Sequence, residues 1–205
     1  MRGMLNRIVP ICIAVASFST AMAQGRPVTI APLFGWRGGA SLEADLPGTP
    51  GIDAEPSASF GLEVDVATRP DAWLEAFYDH QTLSFDDDHG SGAAPFDLAV
   101  DYLQVGGRYQ PGKEAFRPYV SAALGLTFYD ANGGSVSNST GWSGSIGGGF
   151  DTSISRRVSF RAELRGYATF SDTTVAGTCG AGCSVRLTAS GWYQLGARIG
   201  LVFHL

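Results

Sequence analysis

The chain has 205 residues, 28 of them glycine, with 14 Lys and Arg against 19 Asp and Glu, a formal net charge of −5 and 44% hydrophobic residues. That length suits one domain, and the acid excess disfavours nucleic acid as a partner, because phosphate recognition needs a positive field. Past the N-terminus no apolar run is long enough for a helical membrane span, so the hydrophobic content must be spread over short elements.

Arg2 and Arg7 flank the start of an apolar run from Ile8 to Phe18, and Ser19-Thr20-Ala21-Met22-Ala23 follows before Gln24. A charged, then apolar, then small-residue order is that of a secretory signal, with cleavage expected after Ala23. The apolar run falls short of the roughly 18–20 residues a spanning helix needs, which disfavours a retained anchor. Cys12, preceded by Val9-Pro10-Ile11, lacks a lipoprotein-type context. Residues 1–23 therefore read as a signal and 24–205 as the mature domain, whose charge is about −7 once Arg2 and Arg7 are removed.

The mature chain carries a period of two in eight stretches, at 28–44, 57–68, 72–85, 96–110, 116–130, 141–153, 156–170 and 190–205. In the second, Phe60, Leu62, Val64 and Val66 alternate with Ser59, Gly61, Glu63 and Asp65. The third and fourth are less clean, because Phe77 and Leu103 share parity with acidic neighbours, which points to a bulge or a shifted register. In the seventh, Val158, Phe160, Ala162 and Leu164 oppose Ser159, Arg161, Glu163 and Arg165. The last puts Tyr193, Leu195, Ala197, Ile199, Leu201, Phe203 and Leu205 on one face, and Gln194, Arg198 and His204 on the other.

The connections alternate in length. Arg69-Pro70-Asp71, Gln110-Pro111-Gly112-Lys113 and Ser155-Arg156 are turn-like, whereas 45–56, 86–95, 131–140 and 171–189 are long and rich in Gly, Ser, Asp and Pro. An even strand count with short turns at one end and long loops at the other is the pattern of outer-membrane barrels, and it puts both termini on the periplasmic side. No repeat or linker suggests a second domain.

A period of two sustained to Leu205 leaves no room for a covering helix, so another solvent must meet the apolar face, and behind a secretory signal that solvent is lipid. Lipid cannot satisfy backbone N–H and C=O groups, so the last strand must pair with the first and leave no edge. Aromatic girdles are expected from Trp36, Trp73, Tyr78, Tyr109, Trp142, Tyr193 and Phe203. A soluble barrel of lipocalin type would turn the apolar face inward, and parity alone does not separate the two. Chemistry favours lipid, since one face gathers Arg, Glu, Tyr and Ser while the other carries nearly no charge.

An eight-stranded barrel is just wide enough for inward side chains to fill it. The expected inward set is Arg37, Glu63, Asp65, Glu75, Asp79, Arg108, Arg161, Glu163, Arg165 and Arg198, of both signs in nearly equal number. Buried opposite charges should pair, giving either a plug of ion pairs that seals the lumen or a gated pathway in which the pairs rearrange around a solute. Gly144, Gly147, Gly148 and Gly149 leave room for Tyr119, Tyr129 or arginines across the barrel.

The opening VTIAPLFGWRGGASLE, the RPYVSAALGLTFYD strand and the terminal GARIGLVFHL resemble the small eight-stranded outer-membrane barrels, the group of outer-membrane proteins A, X and W. The resemblance spans the whole mature chain and rests on pattern more than on one motif. It implies an all-β, antiparallel transmembrane barrel in the cell outer membrane, monomeric, with lipid and lipopolysaccharide as its surroundings. It also implies that the last strand, through Ile199, Leu201, Phe203 and Leu205, is read by the barrel-assembly machinery. That signal usually ends on an aromatic, whereas here Leu205 is last and Phe203 stands two before it.

Chemistry-bearing motifs are few. His89-Gly90-Ser91 has a His-x-Ser spacing but sits among Asp86, Asp87, Asp88 and Gly92 in a loop, where no strand fixes the pair, and His80 is followed by Gln81 and Thr82 with no serine in the matching place. There is no Gly-x-Ser-x-Gly elbow, Walker loop or His-Glu-x-x-His. Asp86-Asp87-Asp88-His89 does not follow EF-hand spacing and reads as a solvated tip, although with Asp45, Asp53 and Glu55 it would let the outer rim meet lipopolysaccharide phosphates through bridging cations. Cys179 and Cys183 form the one pair available to an oxidising compartment, placed to staple a loop tip. Asn138-Ser139-Thr140 matches a glycosylation sequon by chance. No cofactor, metal or catalytic residue is assigned. The expected function is structural or surface interaction, with small-solute passage or binding as the alternative and lipid A modification as a third class.

Overall fold

The computed structural model describes residues 25–39, 41–42, 52–53, 56–85, 96–112, 115–132, 139–170, 173–179, 183–189 and 192–205. The described residues form twelve strands in chain order: β1 Val28–Gly38, β2 Ser41–Leu42, β3 Ile52–Asp53, β4 Ser57–Arg69, β5 Ala72–Phe85, β6 Phe96–Tyr109, β7 Phe116–Asn132, β8 Ser139–Ser153, β9 Val158–Phe170, β10 Thr173–Cys179, β11 Cys183–Ala189 and β12 Trp192–His204. Eight of them close a barrel in the order β1-β12-β9-β8-β7-β6-β5-β4, all neighbours antiparallel where they pair. The other four form two small ladders, β2 with β3 and β10 with β11, at the long-loop end.

Closure is made by β1, which pairs with β12 from Thr29↔His204 to Gly38↔Leu195 and with β4 from Val28↔Val66 to Arg37↔Ser57. The β1–β12 ladder is interrupted at Ala31 and Pro32, because proline has no N–H to donate. At the short-turn end the Leu205 N–H donates to the Val28 carbonyl at 3.0 Å and ties the two ends of the barrel chain together. The Gln110 N–H likewise donates to the Asp71 carbonyl at 2.8 Å, and the Ser153 N–H to the Ala115 carbonyl at 2.9 Å.

Parity sorts the two faces as period two requires. Phe34, Phe60, Leu62, Leu124, Ile146, Leu164, Leu195 and Ile199 stand exposed on the outside, Leu124 to 75%. An apolar surface of this extent around the barrel suits lipid, since water tolerates contiguous apolar patches of only a few hundred Å². Trp36, Tyr109, Trp142, Tyr193 and Phe203 also point outward near the ends of their strands, whereas Tyr78 points outward from the middle of β5. Trp73 does not: it pairs across the ladder with Arg108, whose guanidinium carbon lies 5.6 Å from the centre of its ring, so it lines the lumen. Trp73 shares the parity of Glu75, and that parity overrides its aromatic character.

The third and fourth expected strands hold an unbroken register from Ala72↔Tyr109 to Phe85↔Phe96. Neither a bulge nor a slip explains Phe77. It is a lumen residue, buried between acidic neighbours, with its ring against the guanidinium carbons of Arg165 at 4.3 Å and Arg198 at 5.3 Å. The irregularity lies instead between Ala67 and Arg69, at the entry to a short turn. The segment 171–189, expected as a loop, contains the β10–β11 hairpin, and the first strand stops at Gly38 rather than reaching 44.

The lumen has two zones. Towards the long-loop end Phe77, Leu83, Val100, Tyr102, Ala123 and Tyr167 form an apolar cluster, with the Tyr102 and Tyr167 rings 4.6 Å apart. The charged residues run below and between these rings, Phe77 lying against Arg165 and Arg198 and the Arg37 guanidinium 4.7 Å from the centre of the Tyr102 ring. Gly147 and Gly149 make the space: a Cβ on Gly149 would fall 2.9 Å from the Tyr119 ring tip, and one on Gly147 3.3 Å from Arg165 Nε.

Candidate functional site

All ten expected lumen residues lie inside the barrel and are almost wholly buried. β9 supplies three of them at every second position, Arg161, Glu163 and Arg165, and each meets partners from strands across the lumen. Arg161 donates Nε to Asp151 Oδ1 at 2.8 Å and Nη2 to Asp151 Oδ2 at 3.0 Å, and its Nη1 donates to Glu63 and, at 3.3 Å, to Asp65. Arg108 donates to Glu63 Oε1 at 3.0 Å and Asp65 Oδ2 at 2.6 Å, and the Thr29 hydroxyl adds a third bond to Asp65.

Arg165 donates to Glu163 and Glu75, each at 2.6 Å. Arg198 donates to Glu163 and, at 3.0 Å, to Asp79, and its Nη2 lies 3.8 Å from Glu63 Oε2, which joins the two halves. Asp79 also accepts from Arg37, whose Nε donates to Gln81 Oε1 at 2.8 Å, and Gln194 and Tyr102 carry the chain of bonds upward. The result is one continuous polar network from the short-turn end to the apolar cluster. Charges taken out of water cost several kcal/mol each unless they are paired and hydrogen-bonded, and this network supplies both. Aromatic faces add to it: Arg37 lies 4.7 Å above the Tyr102 ring, and Arg108 and Arg161 lie 5.1 and 5.2 Å from that of Tyr119.

Asp151, Gln81, Gln104, Gln110 and Gln194 belong to the network and are missing from the expected set. Their signal was parity. Asp151 follows Gly147 and Gly149 on the inward side of β8, and Gln81, Gln104, Gln110 and Gln194 share the parity of the inward charges on their strands. Tyr119, expected only as a space-filler, donates its hydroxyl to Glu163 Oε2 at 2.8 Å.

Two histidine clusters lie elsewhere. His80 Nδ1 is 2.7 Å from Asp101 Oδ1 on the outer face of β5 and β6, with the Tyr78 hydroxyl donating to the same oxygen at 2.8 Å and Thr82 Oγ1 3.4 Å from His80 Nε2. At the short-turn mouth His204 Nε2 is 2.9 Å from Ser159 Oγ, and among the described residues no ion pair joins His204 to a carboxylate. Asp86, Asp87, Asp88, His89, Ser91, Asp45, Glu55 and Asn138 lie outside the described residues, as do residues 1–23 and the side chains of Asp53, Cys179 and Cys183. Ile199, Leu201, Phe203 and Leu205 are exposed on the outer face of the closing strand.

No family model and no curated protein matches the sequence. Among solved structures, the neisserial surface protein A superposes with a TM-score of 0.57 at 14% identity, covering 86% of this chain and 96% of its own. The outer membrane protein AlkL, solved in lipid bilayers, gives 0.55 at 14% identity over 88% and 90%. The attachment invasion locus protein of Yersinia pestis, in complex with a heparin analogue, gives 0.50 at 11% identity over 88% and 99%. Identities this low speak for the fold, and the fold is that of the small eight-stranded outer-membrane β-barrels.

Proposed function

We propose that this protein is a non-enzymatic barrel of the outer membrane whose lumen is a closed, ion-paired core and whose role is structural or one of surface interaction. The observation that carries the reading is the burial of the described lumen arginines and carboxylates, paired in one hydrogen-bonded network packed among buried aromatic rings. In this reading residues 1–23 direct export and are removed, and the last strand is read by the barrel-assembly machinery. The monomer then presents its long-loop end to lipopolysaccharide and to partners outside the cell. Similarity in fold to a neisserial surface protein and to an attachment protein supports a surface role.

Catalysis is the weaker reading. The row Thr82–His80–Asp101 has the polarity of a nucleophile, base and orienting acid, but it stands on regular strands whose N–H groups serve the ladder and supply no oxyanion donors. Solute passage has one observation in its favour: Arg198 lies within 4 Å of Glu163, Asp79 and Glu63 and could exchange partners.

The test is fractionation followed by planar-bilayer recording. A heat-shiftable band in the outer-membrane fraction with a silent bilayer is the expected result. Steady conductance that responds to Arg198→Ala would replace the closed core with a pathway, and a soluble periplasmic protein would overturn the membrane assignment.

A further inference from the structure

We infer that the lumen holds one small, hard monovalent cation, of the sodium class, between Glu63, Asp65 and Glu75. One carboxylate oxygen from each of the three lies within 4.8 Å of the others, and all three residues are fully buried. Their remaining chemistry is incomplete in a specific way. Arg108, Arg161 and Arg165 hold one oxygen of each carboxylate, while Glu63 Oε2, Asp65 Oδ1 and Glu75 Oε2 accept no hydrogen bond. Three buried acceptors without donors are a standing cost, which a cation held by the three carboxylates relieves.

The donor set decides the class of ion. It offers carboxylate oxygen only, with no imidazole or thiolate, which selects hard cations over transition metals. Oxygens facing one another across an ion coordinated at about 2.3–2.6 Å lie up to about 5 Å apart, which fits the observed spread. Calcium and sodium share that size, and charge separates them. Among the described residues the lumen buries six carboxylates, Asp151 included, against five guanidiniums. Arg117, 3.9 Å from Asp151, stands at the mouth with a fifth of its side chain in solvent. A single positive charge balances the fully buried set, whereas a dication would leave it positive. The unpartnered N–H groups of Arg108 Nε and Arg198 Nε are donors and take no part in holding a cation.

The inference rests on the closed lumen proposed above. The experiment is to refold the full chain into detergent in choline chloride and to follow thermal unfolding while choline is replaced by sodium at constant ionic strength and pH. A saturable rise in the midpoint of about 5 °C or more with sodium, matched by binding heat in a calorimetric titration, is expected. Glu75→Gln should remove the sodium response while its heat-shiftable band persists; the wild-type titration decides the matter if that variant does not fold. Identical unfolding in both salts, the result expected of ordered water alone, overturns the site, and so does a response to calcium with none to sodium. A barrel that conducts in planar bilayers overturns the closed lumen instead, so the two failures are told apart.

Discussion

Asp151 and Arg161 stand directly opposite one another on β8 and β9, and the guanidinium grips the carboxylate through two parallel hydrogen bonds of 2.8 and 3.0 Å. A fork-to-fork pair of this kind fixes geometry as well as charge. It also places Arg161 so that its far nitrogen reaches Glu63 and Asp65 on the other side of the lumen.

Removing one member should therefore cost far more than a surface ion pair. Asp151→Ala leaves part of a buried guanidinium unmatched, and Arg161→Met leaves three carboxylates short of a partner. Each is expected to lose about 3–5 kcal/mol, read from urea unfolding of the barrel in lipid vesicles. A loss under about 1 kcal/mol would mean that water reaches the pair.

Glycines on β8 and β9 differ in what surrounds them, although the sequence treats them alike. Gly149→Ala would place its Cβ against the Ala162 carbonyl oxygen and 2.9 Å from the Tyr119 ring, whereas at Gly166 the nearest atom is 4.0 Å away. The first should destabilise by about 1–3 kcal/mol and the second stay within about 0.5 kcal/mol, measured by the same unfolding transition.

Tyr119→Phe deletes one hydroxyl that donates to Glu163 at 2.8 Å while keeping the ring between Arg108 and Arg161. A bond to a buried charge predicts a loss of about 1.5–3 kcal/mol with the heat-shiftable band retained.

Leu124 lies near the middle of β7 and is the most exposed large apolar residue among those described, at 75%. Leu124→Arg should cost about 2–4 kcal/mol in a bilayer and reduce insertion yield. In a water-soluble barrel the same change would be neutral, so equal stability of variant and parent in vesicles would contradict a lipid-facing exterior.

Alternation of side chains is a property of each strand by itself, and for that reason the eight barrel strands were readable in the sequence; the inward face followed from the chemistry of the two faces, and closure of the last strand onto the first from the cost of a free edge in lipid. The sequence also sufficed for the five arginines and for five of the six buried acids of the lumen, Asp151 being the one left out, because each of those ten shares parity with the polar positions of its strand. What it left open belongs to the closed sheet. Trp73 follows the parity of Glu75 and not its aromatic character, and β10–β11 pairs residues whose polar composition matched a loop. Asp151 becomes the partner of Arg161 only because register sets them opposite, and Arg198 reaches Glu163 and Asp79 only because curvature brings β12, β9 and β5 around one axis. Partner choice depends on register and stagger accumulated over eight strands, which no local pattern encodes, so it is the closed barrel that sets which charges meet and which three carboxylate oxygens lack a donor.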